Sequence, residues 1–174
     1  MDALEALKTR RSVRKYARRP VPRRILEDLV DCARQAATAR NVQPWDFVVT
    51  TDPARLKVLA EATGVNGPFI ADAGACIVVL CRDTKYYLED GSAAVQNLLV
   101  AARAHGLGSC WIAGDKKPYA ETVRALAGAP ATHRLIALVP VGWPEERPQP
   151  QKRPLAEVLH WERFGNSTAP ANLS

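Results

Sequence analysis

The amino-acid sequence predicts one domain in which helices and strands are mixed, and three observations predict it. A chain of 174 residues is long enough to bury one core and short for two. Apolar residues make up 47% and charged residues 24%, the balance of an ordinary packed globular chain. Segments of helical period alternate with short β-branched runs, with no internal repeat or low-complexity tract.

Asp2 with Glu5 three residues on has capping-box spacing, and Leu4 and Leu7 share a face, which predicts a short helix to about Arg10. Pro22 opens a second helix carrying Ile25, Leu26, Leu29, Cys32, Ala33 and Ala36 on one side. A polar loop from Thr38 to Pro44 then feeds a strand from Trp45 to Thr51. Asp52-Pro53 supplies an N-cap and a first-turn proline for a helix to about Ala62, and residues 63–68 read as loop. The apolar run Ala75 to Cys81 predicts a central strand.

A long helix is expected within Tyr87 to His105, where Val95, Leu98, Leu99 and Ala102 repeat at helical spacing before a stop at Gly106. Cys110-Trp111-Ile112 predicts a short strand, Pro118 to Leu126 a helix closed by Gly128, and Leu135 to Val141 a strand that Pro140 interrupts or sends to an edge. Five prolines between Pro140 and Pro154 predict an extended arm, near 144–154, before a short helix from Leu155 to Phe164. The domain is therefore drawn over 1–165, with a flexible tail at 166–174.

Net charge is +6, and nine cations between Lys8 and Arg24 fall within seventeen residues. An anionic partner is expected there, and charge alone leaves nucleic acid, a membrane surface and a phosphorylated cofactor open. No run approaches the length of a membrane span, and the first residues lack the basic flank and apolar run of a signal peptide, so a cytoplasmic protein without a membrane anchor is expected. Cys32, Cys76, Cys81 and Cys110 include no Cys-x-x-Cys pair and read as buried free thiols. His105, His133 and His160 are isolated, so no metal site is expected, and neither a G-x-S-x-G elbow nor a Walker loop is present.

Three segments have chemistry to offer. Arg10-Arg11-Ser12-Val13-Arg14 combines forked guanidinium donors with a hydroxyl, the donor set that binds phosphate, although solvated surface charge has the same composition. Asn41-Val42-Gln43-Pro44-Trp45 sets two amides ahead of a strand, where they serve a heteroaromatic edge or an ordinary turn. Gly106-Leu107-Gly108-Ser109-Cys110-Trp111 begins G-x-G, but it runs from helix to strand and has Trp at the sixth position, so it is no dinucleotide fingerprint. Cys110 near His105 has the makings of a nucleophile pair, against which stands the commoner fate of a core thiol.

Taken in order, Arg10-Arg11-Ser12-Val13-Arg14-Lys15-Tyr16, Ala36 to Trp45, Gly106 to Trp111 and Lys152-Arg153-Pro154-Leu155 make the chain resemble the nitroreductase family of FMN enzymes from about Leu4 to Gly165. The resemblance implies an α+β fold of three layers, α/β/α, around a mixed, mainly antiparallel sheet. It also implies a homodimer with two FMN sites at the subunit interface and a small-molecule electron acceptor as second substrate. Arg10, Arg11, Ser12 and Arg14 would then reach the phosphate, the ribityl chain and the pyrimidine edge, joined at the phosphate by Lys152 and Arg153. Thr38, Arg40, Asn41 and Gln43 match the segment lent by the partner subunit, Asn66 an amide contact to the pyrimidine, and Ile112, Ala113 and Gly114 the neighbourhood of the isoalloxazine and its N5.

The implied reaction is ping-pong hydride transfer from NADH or NADPH through flavin N5 to a nitroaromatic, quinone or similar acceptor. No side chain is assigned as catalytic; Arg14 is expected to stabilise the charge that reduction places near N1. Two departures stand out: Phe69 occupies a position where many relatives have Lys, and Thr38 one where Ser is common. Reductive dehalogenation, flavin oxidation or flavin destruction on the same fold is the alternative. A basic nucleic-acid-binding domain is a remote one, for which no helix-turn-helix or RNA-binding signature is present.

Overall fold

The computed structural model describes residues 1–170. It begins with α1 (Ala3–Thr9), capped by the Asp2 carboxylate accepting the Glu5 amide, and continues through α2 (Arg23–Arg34) to the first strand, β1 (Trp45–Thr50). Next come α3 (Pro53–Thr63), capped by Asp52, then β2 (Ala75–Arg82) and α4 (Tyr87–Ala104). Two-residue strands β3 (Gly108–Ser109) and β4 (Ile112–Ala113), α5 (Ala120–Leu126) and the long β5 (His133–Gly142) complete the regular elements, apart from short 3-10 turns. Each aspartate cap satisfies an amide that the first helical turn leaves free and stabilises its helix by about 1 kcal/mol.

The sheet runs β1-β2-β5-β3, with β4 also on β5, and every pairing is antiparallel. Alternation along β2 divides its side chains between two layers. Ala75, Ile77, Val79 and Cys81 pack with α2 and α4, through residues such as Leu29, Val95 and Leu98. Cys76, Val78 and Leu80 pack with α3 and α5, through Leu56, Leu59 and Val123. A strand covered on both faces reads as a continuous apolar run, which is why β2 was conspicuous in the sequence. The architecture is the expected three-layer α+β sandwich, and among the described residues its one parallel element is a bridge between Ser12 and Ser109.

The register between β2 and β5 shifts between Val79 and Leu80, leaving Ile136 unpaired. Ile136 and Ala137 consequently face the same layer, while Leu135 and Leu138 face the other, as a β-bulge requires.

Four local expectations need correction. β5 is neither interrupted nor at an edge, because the break falls in its neighbour. The Pro140 carbonyl accepts the Cys110 amide (3.3 Å), so its missing N–H faces the gap between β3 and β4. That gap is Cys110-Trp111, the middle of the segment expected to be one strand. Leu155 to Phe164 forms a single 3-10 turn at Leu155–Glu157 rather than a helix. In α1 the buried residue is Ala6, while Leu4 and Leu7 stay exposed. Of the expected tail at 166–174, residues 171–174 lie outside the described residues, and 166–170 carry no helix or strand.

Among the described residues no helix is long and apolar enough to cross a membrane, and no cluster of His, Cys, Asp and Glu could hold a metal.

Candidate functional site

Beyond α1 the chain runs extended along the C-terminal end of β5. The Val13 amide donates to the Ser109 carbonyl (3.0 Å), and Val13 and Tyr16 are buried with Ala73. The Tyr16 hydroxyl donates to the Val13 carbonyl (2.5 Å), and its burial pushes its pKa well up, so it stays a neutral structural donor. A Cβ on Gly108 would lie 2.7 Å from Val13 Cγ1, so this close seat needs glycine opposite. With Val13 and Tyr16 turned inward, Arg10, Arg11, Ser12 and Arg14 are left at least partly accessible.

Arg10 and Arg11 line a cleft of about 520 Å³ whose other walls include Arg103 of α4, Gly106 to Ser109, and Arg147 from the Pro-rich arm. Arg11 Nη1 donates to the carbonyls of Lys8 (2.9 Å) and Arg10 (2.7 Å), but Arg11 Nε is buried with no acceptor. An unsatisfied buried guanidinium donor costs free energy, which an anion in the cleft would recover. The residues present therefore fit a phosphate. Glu146 ties the arm to the basic segment, its Oε1 accepting the Arg14 amide at 2.5 Å.

The Arg14 guanidinium leaves that cleft and sits over the Phe69 ring, 5.8 Å from the centroid. Phe69 belongs to the 3-10 turn Pro68–Asp72, just after the turn Gly64–Asn66. Asn66 is exposed, its Nδ2 donating to the Thr63 carbonyl (3.2 Å). A Cβ on the adjacent Gly67 would lie 2.8 Å from Ile112 Cδ1, so this turn rests directly on β4. Ile112 itself points into the core, and the exposed side chains here are Trp111 and Ala113. Tyr119 donates to the Ala113 carbonyl (2.5 Å) and the Gly114 amide to that of Ile136 (2.9 Å), which fixes this wall. A side chain at Gly114 would collide with Leu135 Cγ at 2.4 Å.

Thr38, Arg40, Asn41 and Gln43 lie elsewhere. Their loop enters β1 at the end of β2 marked by Arg82, whose amide donates to the Pro44 carbonyl (2.9 Å), whereas Ser12 bridges to Ser109 at the Ala75 end. Seven residues of strand separate these ends, about 23 Å at the usual rise. Arg40, Asn41 and Gln43 have φ of 53°, 56° and 49°, a left-handed conformation costing roughly 1–2 kcal/mol each outside glycine. Asp90 of α4, buried to 5% exposure, holds the loop: Thr38 Oγ1 donates to Oδ2 (2.9 Å) and the Ala39 amide to Oδ1 (3.0 Å).

Lys152 and Arg153 do not line the arginine cleft, and Arg153 pairs with Glu157 (3.2 Å). The residues missing from the sequence reading are Arg103, Arg147, Glu146, Trp111 and Asp90. Only Trp111 carries a usable signal, since it closes the segment Gly106 to Trp111 and alternation places it with Ala113. A larger apolar groove, about 1080 Å³, follows the unpaired edge of β1 between Val21, Leu26, Phe47 and Val49, and contains no predicted site residue.

A helix-covered antiparallel sheet with an arginine-lined cleft at one end defines an α+β protein with a concentration of positive charge beside its sheet. The chain belongs to the nitroreductase family, whose sequence profile matches residues 7–64 and 53–143. A Methanothermobacter thermautotrophicus protein named as an NADH dehydrogenase/NAD(P)H nitroreductase is 32% identical over 170 residues, covering 94% of this chain and 88% of its own. An FMN-dependent nitroreductase from Clostridium difficile R20291 superposes with a TM-score of 0.86 at 25% identity, covering 92% of this chain and 99% of that one. A 5,6-dimethylbenzimidazole synthase of Rhodospirillum rubrum is 30% identical over 196 residues, covering 92% of this chain and 90% of its own.

Proposed function

We propose that the protein is an FMN-dependent oxidoreductase that draws electrons from NADH or NADPH and delivers them, in a ping-pong cycle, to a nitroaromatic, quinone or similar small acceptor. The observation that carries this reading is the cleft of Arg10, Arg11, Arg103 and Arg147 with the buried, unpaired Nε of Arg11. Names among the relatives support both the flavin and the nicotinamide.

When bound, FMN supplies the two-electron chemistry, and the protein supplies binding, orientation and charge. Arg10, Arg11 and Arg147 would hold the phosphate end, with Ser12 beside them, and Lys152 and Arg153 would add their charge from the arm. Arg14 would stand at the pyrimidine end, where reduction would leave negative charge, and Asn66 would offer its amide there. Ala113 and the backbone of Ile112 and Gly114 would serve as a fixed wall for the flavin, against which two planar substrates would be positioned in turn.

Thr38, Arg40, Asn41 and Gln43 reach a flavin site only from a second copy, because their own chain holds them at the far end of β2. On this reading the protein is a homodimer with shared sites. The exposed Leu4, Leu7 and Leu155, left without a core of their own, support it.

Purified protein reconstituted with FMN tests the reading. Retained yellow colour, anaerobic bleaching by NADH or NADPH and reoxidation by members of an acceptor panel are expected; failure to take up flavin overturns it. The synthase relative favours a second reading, the same flavin with different chemistry. A bound flavin that neither nucleotide bleaches selects that reading.

A further inference from the structure

The loop from Thr38 to Gln43 combines three left-handed residues with side chains that bury nothing: Arg40, Asn41 and Gln43 are all exposed. Strain that earns no core contact is kept where a loop must present side chains outward. Something must hold such a backbone, and its polar ties to the rest of the chain are few. Arg82 Nη2 donates to the carbonyls of Val42 (3.2 Å) and Gln43 (3.4 Å) at the end of the loop, and Asp90 holds its start.

Asp90 spends both oxygens on this loop. Thr38 Oγ1, while donating to Asp90, also accepts the Gln43 amide (3.2 Å), so one hydroxyl links the start of the loop to its end through the carboxylate. The helix carrying Asp90 is itself seated without slack. A Cβ on Gly91 would lie 2.7 Å from Ile136 Cγ1 and 2.9 Å from Cys81 Sγ, so α4 touches the sheet at the very next residue. A carboxylate exposed by only 5% is a poor choice for packing alone, since burying charge is unfavourable unless hydrogen bonds compensate it.

We infer that Asp90 is a positioning residue, which fixes the loop Thr38–Gln43 in the conformation that presents Arg40, Asn41 and Gln43 to the cofactor bound by a second copy. The role as loop anchor stands on this geometry; the role toward cofactor rests on the FMN reading above.

The test measures both. In Asp90→Ala, hydrogen exchange at the amides of Ala39 to Gln43 should rise about 10- to 100-fold, the range for losing hydrogen bonds to a charged group, while exchange over β2 stays at the wild-type level. FMN affinity of the full-length protein, read by flavin fluorescence well below the melting temperature, should fall by about the same factor. A purely structural Asp90 would lower the melting temperature and leave the affinity of the folded protein unchanged. Thr38→Val should give a smaller loss, and combined with Asp90→Ala it should add little, because the two act through one chain of hydrogen bonds.

If Asp90→Ala does not fold, the isosteric Asp90→Asn replaces it, with an expected loss of several-fold. Wild-type exchange and wild-type affinity in the folded variant would overturn the inference. Failure of the wild-type protein itself to bind FMN would instead sink the cofactor reading, and the exchange rates would still decide whether Asp90 anchors the loop.

Discussion

The guanidinium of Arg14 lies over the ring of Phe69, at 5.8 Å from its centroid, so this position supports a cation without supplying one. Charge at that end of the site is supplied by a residue 55 positions earlier in the chain. The aromatic face offers a weak electrostatic seat for Arg14, worth about 0.5–1 kcal/mol at an exposed site.

Arg14 should therefore bind reduced flavin better than oxidised flavin. Arg14→Met is expected to weaken binding of oxidised FMN only a few-fold and of reduced FMN by about tenfold more. A tenfold difference between the two forms lowers a two-electron midpoint potential by about 30 mV. Spectroelectrochemical titration of both proteins checks this, and an unchanged potential would remove Arg14 from the role.

The arginine cleft makes a different prediction, because Arg147, and not Lys152 or Arg153, lines it together with Arg10 and Arg11. Arg11→Ala removes the buried unpaired donor and should cost at least about tenfold in FMN affinity, with a reduced dependence on salt. Arg147→Ala should cost nearly as much. Lys152→Ala with Arg153→Ala should cost only several-fold, and wild-type affinity in that double variant would exclude the tail pair from the site.

How much of this was legible in the sequence follows from how local each cause is. The caps at Asp2 and Asp52, the stop at Gly106 and the doubly covered β2 depend on neighbours a few residues away, and each lies where the sequence predicts it. The place of Pro140 inside the sheet is not legible locally, because its tolerance depends on a break in the adjacent strand, which no local pattern records. Among the described residues Leu155 and Val158 stay exposed where a helix was expected over Leu155 to Phe164, and short helices without tertiary packing are unstable. The basic segment was conspicuous from its charge density. Asp90 was not, because its importance arises from contacts with Thr38 and Ala39, about fifty residues away.

The cysteines offer a check on the packing that is independent of any cofactor. Burial pushes Cys76 and Cys81 up to about 12, and it raises Cys110 as well, against the opposing pull of Arg14 and Arg10. A thiol with a pKa near 12 is ionised to roughly one part in ten thousand at pH 8, so it hardly reacts even where reagent reaches it. Cys32, also raised but only partly buried, should be the one thiol that a disulfide reagent titrates in the native protein, with all four reacting in denaturant. Rapid native labelling of Cys76 would mean that the sheet opens far more readily than its packing implies.

The separation of Arg11 from Gln43 along one chain leads to the strictest test of a shared site. In a homodimer of Arg11→Ala both sites lack an arginine at the phosphate, and in one of Gln43→Ala both lack the lent amide. A heterodimer of the two variants is different: one site collects both lesions and the other collects neither. Differently tagged subunits, exchanged and purified as the mixed species, should then bind one FMN per dimer with wild-type affinity, although each parent binds weakly at both sites. The prediction depends on the loop of one copy reaching the flavin of the other, because a site assembled from a single chain would leave the heterodimer with two damaged sites and no tight binding. Titration of the mixed dimer against both parents distinguishes these outcomes directly, since one recovered site is a change in stoichiometry and cannot be mimicked by a general gain in stability.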